Sequence, residues 1–110
     1  MEITETRNGN ALILRLIGRL DAVTSKMFEE RLTAINEGEK HVIVDCSQME
    51  YISSAGLRVF LVAGKKLKTL KGIFVLFGLS ASVRVVFDQT GFSAFIPIYV
   101  DEVSALAHKG

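Results

Sequence analysis

The first part of the chain alternates between apolar and polar positions and predicts two strands joined by a tight turn. "MEITETR" alternates weakly, "ALILRLIG" is rich in strand-forming residues, and "NGN" at residues 8–10 separates them. Asparagine and glycine are the residue types that most readily adopt positive φ in such turns. The pattern therefore predicts an antiparallel hairpin in which Asn8 and Gly9 both have positive φ.

After "GRLD" the apolar positions change to helical spacing and predict a first helix from Val23 to about Asn36. We expect Gly38 to close this helix, because glycine is common just past a helix end. The acidic and basic residues Glu29, Glu30 and Arg31 fall on the opposite side. The predicted buried face consists of Val23, Met27, Phe28, Leu32 and Ile35.

The remaining chain alternates between short apolar strands and helices. The strands are "HVIVDCS", "GIFVLFG" and "FIPIYV", with Pro97 placing the last at an edge or at its own start. Helices are predicted from about Ala55 to Leu70, in "SASVRVVFDQTG" with Ser80 as N-cap, and in "DEVSALAHKG". The order β-β-α-β-α-β-α-β-α predicts a single α/β domain over residues 1–110. We expect a mainly parallel mixed sheet, an antiparallel N-terminal edge hairpin and about four helices.

Composition fits one soluble domain. The chain has 110 residues, of which 49% are hydrophobic and 23% charged, and its formal net charge is +1. A net charge this small does not favour nucleic acid or an anionic membrane as a partner. The one cysteine, Cys46, cannot form an internal disulfide, and "MEITETRNGN" does not resemble a signal peptide. No apolar stretch is long enough to span a membrane, so we expect a cytoplasmic protein.

The second predicted helix carries more apolar surface than one buried face requires. Leu57, Phe60, Leu61 and Gly64 form one stripe, and Val59, Val62 and Ala63 form another beside it. Only Arg58 interrupts the apolar positions of the first two turns. Two explanations stay open at this point: the helix is unusually buried by its own domain, or part of its surface is kept for a partner.

The junction "MEYISSAGLRVF" that precedes this helix carries the candidate chemistry. Ser54 stands where an N-cap is expected, its oxygen accepting a hydrogen bond from the N–H of Gly56 or Leu57. Glycine in a first helical turn is unfavourable relative to alanine. We therefore interpret Gly56 as a position where another surface approaches the backbone closely.

The chain resembles the STAS domain family of anti-sigma factor antagonists and domains attached to sulfate transporters. The resemblance runs through "LILRLIGRLDAVTS", "VIVDCSQMEYISSAGLRV" and "GLSASVRVVFDQTGF". Two positions depart from the family pattern: Ser53 stands where aspartate is usual, and Ala55 where serine or threonine is usual. The matching positions are Asp21 after the first loop, Asp45 and Ser47 at the strand end, the aromatic Tyr51, the phosphorylated serine Ser54, and Gly56 and Leu57.

The resemblance implies a protein-binding switch. The bare domain would bind an anti-sigma factor that is also a serine protein kinase, releasing a sigma factor, and phosphorylation of Ser54 would abolish binding until a serine phosphatase resets it. Ser53 is a second candidate acceptor. Two alternatives are a STAS subunit of a transporter or signalling complex that is not phosphorylated, and a nucleotide-binding sensor. The predicted partner-binding residues are Asp21, Tyr51, Ser53, Ser54, Ala55, Gly56, Arg58, Val59 and Val62.

Other combinations of reactive residues carry less weight. His41 and His108 lie on different elements without a third ligand at useful spacing, so no metal or other cofactor is expected. Cys46 is expected to be a small buried apolar residue. The chain has no Gly-x-Ser-x-Gly elbow, P-loop or dinucleotide fingerprint, and we do not expect an enzyme. The basic run "KKLK" with Lys71 suits a solvated helix C-terminus better than a nucleic-acid site.

Overall fold

The N-terminal hairpin forms one edge of a five-stranded sheet. In the computed structural model, which describes residues 1–35 and 39–108, β1 (Glu2–Asn8) pairs antiparallel with β2 (Ala11–Leu20). Gly9 has φ +61°, as predicted, but the prediction for Asn8 is wrong: it is the last paired residue of β1 and its φ is not positive. The two-residue turn Gly9–Asn10 needs only one left-handed residue, the requirement of a type II′ turn.

Every later strand is parallel to its neighbour, which confirms the predicted mixed sheet. β3 (His41–Ile52) pairs with β2, β4 (Ile73–Phe77) with β3, and the two-residue β5 (Ile98–Tyr99) with β4. Pro97 directly precedes β5, which is the second edge of the sheet. The connecting helices are α1 (Thr24–Thr33), α2 (Ser54–Thr69), α3 (Ala81–Gln89) and α4 (Glu102–Leu106), with a short 3-10 turn at Phe92–Ala94.

The two faces of the sheet carry cores of very different size. The larger core joins alternate residues of β2, β3 and β4 to α1, α2 and α3. Its centre is Phe60 of α2, whose ring lies 5.0 Å from that of Phe28 and 5.5 Å from that of Phe87, centroid to centroid. A smaller core on the other face packs Ile13, Ile43 and Val75 with α4. This arrangement fixes α2 firmly on the sheet at the level of its second turn.

The first helix is shorter than predicted and buries fewer of its apolar residues. Phe28, Leu32 and Ile35 are buried as expected, but Val23 is 76% exposed and Met27 is also exposed, so those two predictions are wrong. Val23 precedes the first helical residue, and Met27 faces the edge strand β1 beside Ile3 rather than the sheet centre. The predicted end at Asn36 and Gly38 lies outside the described residues.

The last two helices begin where the sequence predicts. Ser80 Oγ accepts a hydrogen bond from Val83 N (3.3 Å), and Asp101 Oδ1 accepts one from Ser104 N (2.9 Å). These are N-caps, each satisfying a backbone donor that the helix itself leaves free. Across residues 1–35 and 39–108, no helix is both long and apolar enough to cross a membrane.

Candidate functional site

The junction between β3 and α2 consists of one residue, Ser53. β3 continues through Tyr51 to Ile52, five residues beyond the predicted strand, and α2 begins at Ser54. Ser53 N donates a hydrogen bond to Leu20 O (2.9 Å) at the end of β2. Because β2 and β3 are parallel, this bond places the start of the β2–α1 loop, with Asp21, beside Ser53.

Ser53, and not Ser54, is the N-cap of α2. Ser53 has extended backbone angles, and its Oγ accepts a hydrogen bond from Gly56 N (3.1 Å). The prediction of Ser54 as the cap is therefore wrong by one residue, because β3 stays extended until Ile52 and the helix begins at once. Ser54 is an exposed first helical residue, and its hydroxyl makes no hydrogen bond with any described residue.

Gly56 is required by the domain's own packing. A Cβ at this position would lie 2.8 Å from Leu20 Cδ2 and 3.0 Å from Ile52 Cγ1, both closer than carbon atoms normally approach. The interpretation of Gly56 as an approach point for another surface is thus corrected: the space is filled by β2 and β3. Gly56 is buried and brings the first turn of α2 close against the strand ends.

We expect Gly56→Ala to lower the free energy of unfolding by about 1–3 kcal/mol, since a methyl group must displace Leu20 or Ile52. Urea denaturation followed by circular dichroism measures this loss. Ser54→Ala is the matched control in the same turn, and its free energy of unfolding should stay within about 0.5 kcal/mol of the wild type. An unchanged free energy of unfolding for Gly56→Ala would show that the first turn accommodates a methyl group without displacing Leu20 or Ile52.

Most of the second apolar stripe of α2 is covered by α1. Val59 is only 6% exposed and Ala63 is buried, whereas Val62 is 52% exposed. Burial by the domain therefore accounts for most of this stripe, and the prediction of Val59 as an accessible contact residue is corrected. Val62 stays at the surface and lines a groove of about 240 Å³ between the two helices, together with Glu29, Leu32, Thr33, Val59, Ala63 and Lys66.

Lys66 closes one end of this groove. Its Nζ donates to the carbonyl oxygens of Leu32 (3.3 Å) and Thr33 (3.1 Å), at the C-terminus of α1. A cation is favourable at the C-terminus of a helix, where carbonyl oxygens lack the donors of a further turn. Leu32 O also accepts a hydrogen bond from Ile35 N (3.1 Å). The basic run at the end of α2 thus helps to hold α1 in place, in addition to solvating the surface.

The Asp21 carboxylate accepts hydrogen bonds within the loop that leads into α1. Its Oδ1 accepts hydrogen bonds from Val23 N (3.0 Å), Thr24 N (2.9 Å) and Thr24 Oγ1 (3.0 Å). The bonds from the backbone and side chain of Thr24 hold the pKa of Asp21 below its ordinary value. The carboxylate therefore stays charged and fixes the shape of the loop beside Ser53.

Cationic side chains surround the junction, and sequence reasoning found only one of them. The Arg19 guanidinium carbon lies 4.2 Å from the centre of the Tyr51 ring, which is 40% exposed. Lys26 of α1 and Arg58 of α2 line a shallow concavity beside Ala55. The sequence predicts Arg58 as a contact residue but does not identify Arg19 and Lys26. The one sequence feature that links them to the site is that both lie within five residues of Asp21.

Asp45, a buried charged residue of β3, is fully engaged. Asp45 Oδ1 accepts hydrogen bonds from Ser47 N (2.9 Å) and Ser47 Oγ (2.6 Å), and Arg15 Nε lies 2.8 Å from Asp45 Oδ2. Burial favours the protonated carboxyl, but these bonds outweigh burial and keep the pKa of Asp45 below its usual value. Burial raises the pKa of the Cys46 thiol, which is therefore neutral and unreactive.

The residues brought together suit modification and docking. Ser54 is exposed and directly precedes Ala55, which lines a concavity with Ala22 and Arg58. Val62, two turns further along α2, is also exposed. Within residues 1–35 and 39–108, no three His, Cys, Asp or Glu side chains come together in a way that could hold a metal ion. The arrangement can accept a group on oxygen and present it at an interface.

Comparison with known proteins gives consistent matches along the whole chain. A family model described as STAS domain matches residues 2–105. BtrV of Bordetella bronchiseptica, provisionally described as an anti-sigma factor antagonist, is 35% identical over 108 residues, which are 97% of this chain and 93% of BtrV. The anti-sigma-B factor antagonist of Listeria monocytogenes is 34% identical over 99 residues, covering 89% of this chain and 86% of that protein.

Solved structures share the architecture. The phosphorylated form of the Bacillus cell fate determinant SpoIIAA superposes with a TM-score of 0.75 at 21% identity, covering 96% of each chain. The unphosphorylated form of the anti-sigma factor antagonist SpoIIAA gives a TM-score of 0.81 at 21% identity, covering 96% of this chain and 93% of SpoIIAA. At this identity the likeness shows the fold.

Proposed function

This chain belongs to the STAS domain family, and from that premise we propose that it is an anti-sigma factor antagonist controlled by phosphorylation of Ser54. Three relatives above 30% identity carry the antagonist description, and each is matched over most of its length. In the bare state the protein binds an anti-sigma factor that is also a serine protein kinase and so releases a sigma factor. We infer a cytoplasmic location, a serine phosphatase that restores the bare state, and no catalytic activity.

The single observation that supports this proposal most strongly is the difference between the two adjacent serines. Ser53 Oγ is held by Gly56 N, while Ser54 Oγ is exposed and free of hydrogen bonds with the described residues. A kinase must reach the hydroxyl and align it with the γ-phosphate of ATP. Ser54 can turn its hydroxyl toward a kinase without breaking the helix cap, whereas Ser53 cannot, and this difference supports Ser54 as the acceptor.

The docking surface extends from this serine along the exposed parts of α2 and the adjoining loop. It comprises Tyr51 on one side, Ala55 and Arg58 in the first turns, and Val62 at the groove beside α1. Asp21 and Gly56 support this surface without being its main contacts. Asp21 holds the β2–α1 loop in shape, and Gly56 lets α2 pack closely against the strand ends. Apolar side chains next to cations form a surface suited to a partner with apolar and acidic groups.

We expect Ser53→Ala to keep phosphate uptake and Ser54→Ala to lose it. After incubation with the cognate serine kinase and ATP, intact mass should show one added phosphate on Ser53→Ala and none on Ser54→Ala. Ser53→Ala should also lower the free energy of unfolding by ~1 kcal/mol through loss of the N-cap bond, whereas Ser54→Ala should not. Phosphate uptake by Ser54→Ala at the wild-type rate would reject Ser54 as the acceptor.

A further inference from the structure

Ser54 and Arg58 occupy one face of the same helix. Both are exposed residues of α2, four positions apart in its first two turns. Side chains at this spacing are neighbours, with Cβ atoms about 5–6 Å apart. A guanidinium on a long, flexible side chain four residues after Ser54 can therefore reach any group attached to the serine oxygen.

Arg58 forms no ion pair with any residue that the structure describes. Within the described ranges 1–35 and 39–108, the ion pairs join Arg7 to Glu39, Arg15 to Asp45, Arg31 to Glu5 and Arg84 to Asp88, and Arg58 is in none of them. The described residues also provide no hydrogen-bond acceptor for its guanidinium, in contrast to Arg15. An exposed, uncommitted arginine next to a modifiable hydroxyl is the feature that carries the inference.

The other charged side chains near Ser54 already interact with neighbouring groups. Lys26 and Glu29 of α1 line the same concavity as Arg58, so their charges partly offset each other. The Asp21 carboxylate accepts hydrogen bonds from Val23 and Thr24 in its own loop. Arg19 lies over the Tyr51 ring. Arg58 is therefore the cation best suited to pair with a phosphate dianion on Ser54, because it lies four residues away on the same helix and forms no ion pair with the described residues.

We propose that a phosphate on Ser54 is captured within the same helix by the guanidinium of Arg58. This inference rests on the proposed function, since it presumes that Ser54 is phosphorylated. Arginine donates two parallel N–H···O bonds to phosphate, a geometry that a lysine cannot reproduce. The modification then alters the docking surface in two ways: it adds negative charge, and it withdraws Arg58 from contact with an acidic partner.

The titration of the phosphate itself tests this capture without a kinase or a partner. Full-length protein carrying phosphoserine at position 54, inserted during translation, is titrated and followed by ³¹P NMR. The second phosphate pKa of a free phosphoserine lies near ~6. We expect that of the wild-type phosphoprotein to be lower than that of its Arg58→Gln variant by roughly 0.3–0.7 unit, because the arginine favours the dianion.

Two variants on exposed lysines serve as controls. Lys65→Gln removes one charge from the face of α2 that carries Ser54. Lys65 lies about 16 Å from Ser54 along the helix axis, so this change should leave the phosphate titration unchanged. Lys26→Gln removes the cation of α1 that lines the concavity with Arg58 and should displace the phosphate pKa less than Arg58→Gln does. Circular dichroism of each variant establishes that it is folded.

The capture is overturned if the wild-type and Arg58→Gln phosphoproteins titrate alike, or if Lys26→Gln or Lys65→Gln moves the phosphate pKa as far as Arg58→Gln. Failure of the proposed function has a different signature. In that case the wild-type phosphoprotein binds the anti-sigma partner as tightly as the bare protein, whatever the ³¹P titration shows.

Discussion

Phosphorylation of Ser54 is expected to weaken binding of the anti-sigma partner by roughly 30- to 1000-fold while the domain stays folded. This range corresponds to the loss of about 2–4 kcal/mol when a charged group must be desolvated or meets like charge at an interface. The phosphate adds about −1.5 to −2 charges to a surface that also contains Tyr51 and Val62. Within the domain the same charge sits at the N-terminus of α2, where it is favourable.

Isothermal titration calorimetry with the purified anti-sigma factor measures this change, using phosphoserine incorporated at position 54 and the bare protein. Ser54→Ala should bind like the bare protein, and Ser54→Glu should bind more weakly without a drop in melting temperature. Ser82→Glu places the same charge on an exposed serine in the first turn of α3 and is the matched control. Equal affinities for the phosphorylated and bare proteins would refute the proposed switch.

Phe60→Ala is expected to lower the free energy of unfolding by about 3–5 kcal/mol, the largest loss from any single change considered. Phe60 is completely buried, and its ring contacts Phe28 and Phe87 edge-on and lies 6.3 Å from that of Phe74. Removing the ring leaves a cavity at the point where α1, α2 and α3 meet the sheet. The melting temperature should fall by roughly 10–30 °C.

Differential scanning calorimetry measures this loss, and Phe95→Ala is its control. Phe95 is 38% exposed, so the same deletion at that position should cost less than half as much. Binding of the partner by the folded fraction of Phe60→Ala should be preserved at low temperature, because Phe60 supports α2 from beneath and does not reach the surface. A melting temperature within a few degrees of the wild type would show that the aromatic cluster can rearrange around the gap.

The element order was predictable because it depends on local patterns. Period-two alternation marks the hairpin, apolar runs mark the buried strands, and Ser80 identifies a helix start through a hydrogen bond that spans only three residues. Long-range packing decided what the patterns left open. Val59 and Val62 look alike in sequence, and only the position of α1 buries the first and leaves the second exposed.

The candidate site shows the same division. Ser53 and Ser54 are equally good caps by residue type, and the choice between them follows from how far β3 stays paired with β2, at Leu20↔Ile52. Gly56 is another example: glycine is needed there because Leu20 packs against it, and this tertiary contact cannot be predicted from the local sequence. The family resemblance indicates Ser54 as the acceptor, whereas only the folded chain shows that its hydroxyl forms no hydrogen bond with the described residues.

The hydroxyl of Ser54 takes no part in holding the described domain together, since its neighbour Ser53 supplies the cap. Mutations at position 54 are therefore expected to leave protein abundance nearly untouched and to alter only how the cell responds. Selection can adjust the sensitivity of such a regulator without disturbing its foldability. Gly56, two residues away, lacks this freedom, because any side chain there meets Leu20 and Ile52 and lowers stability as well as changing the surface.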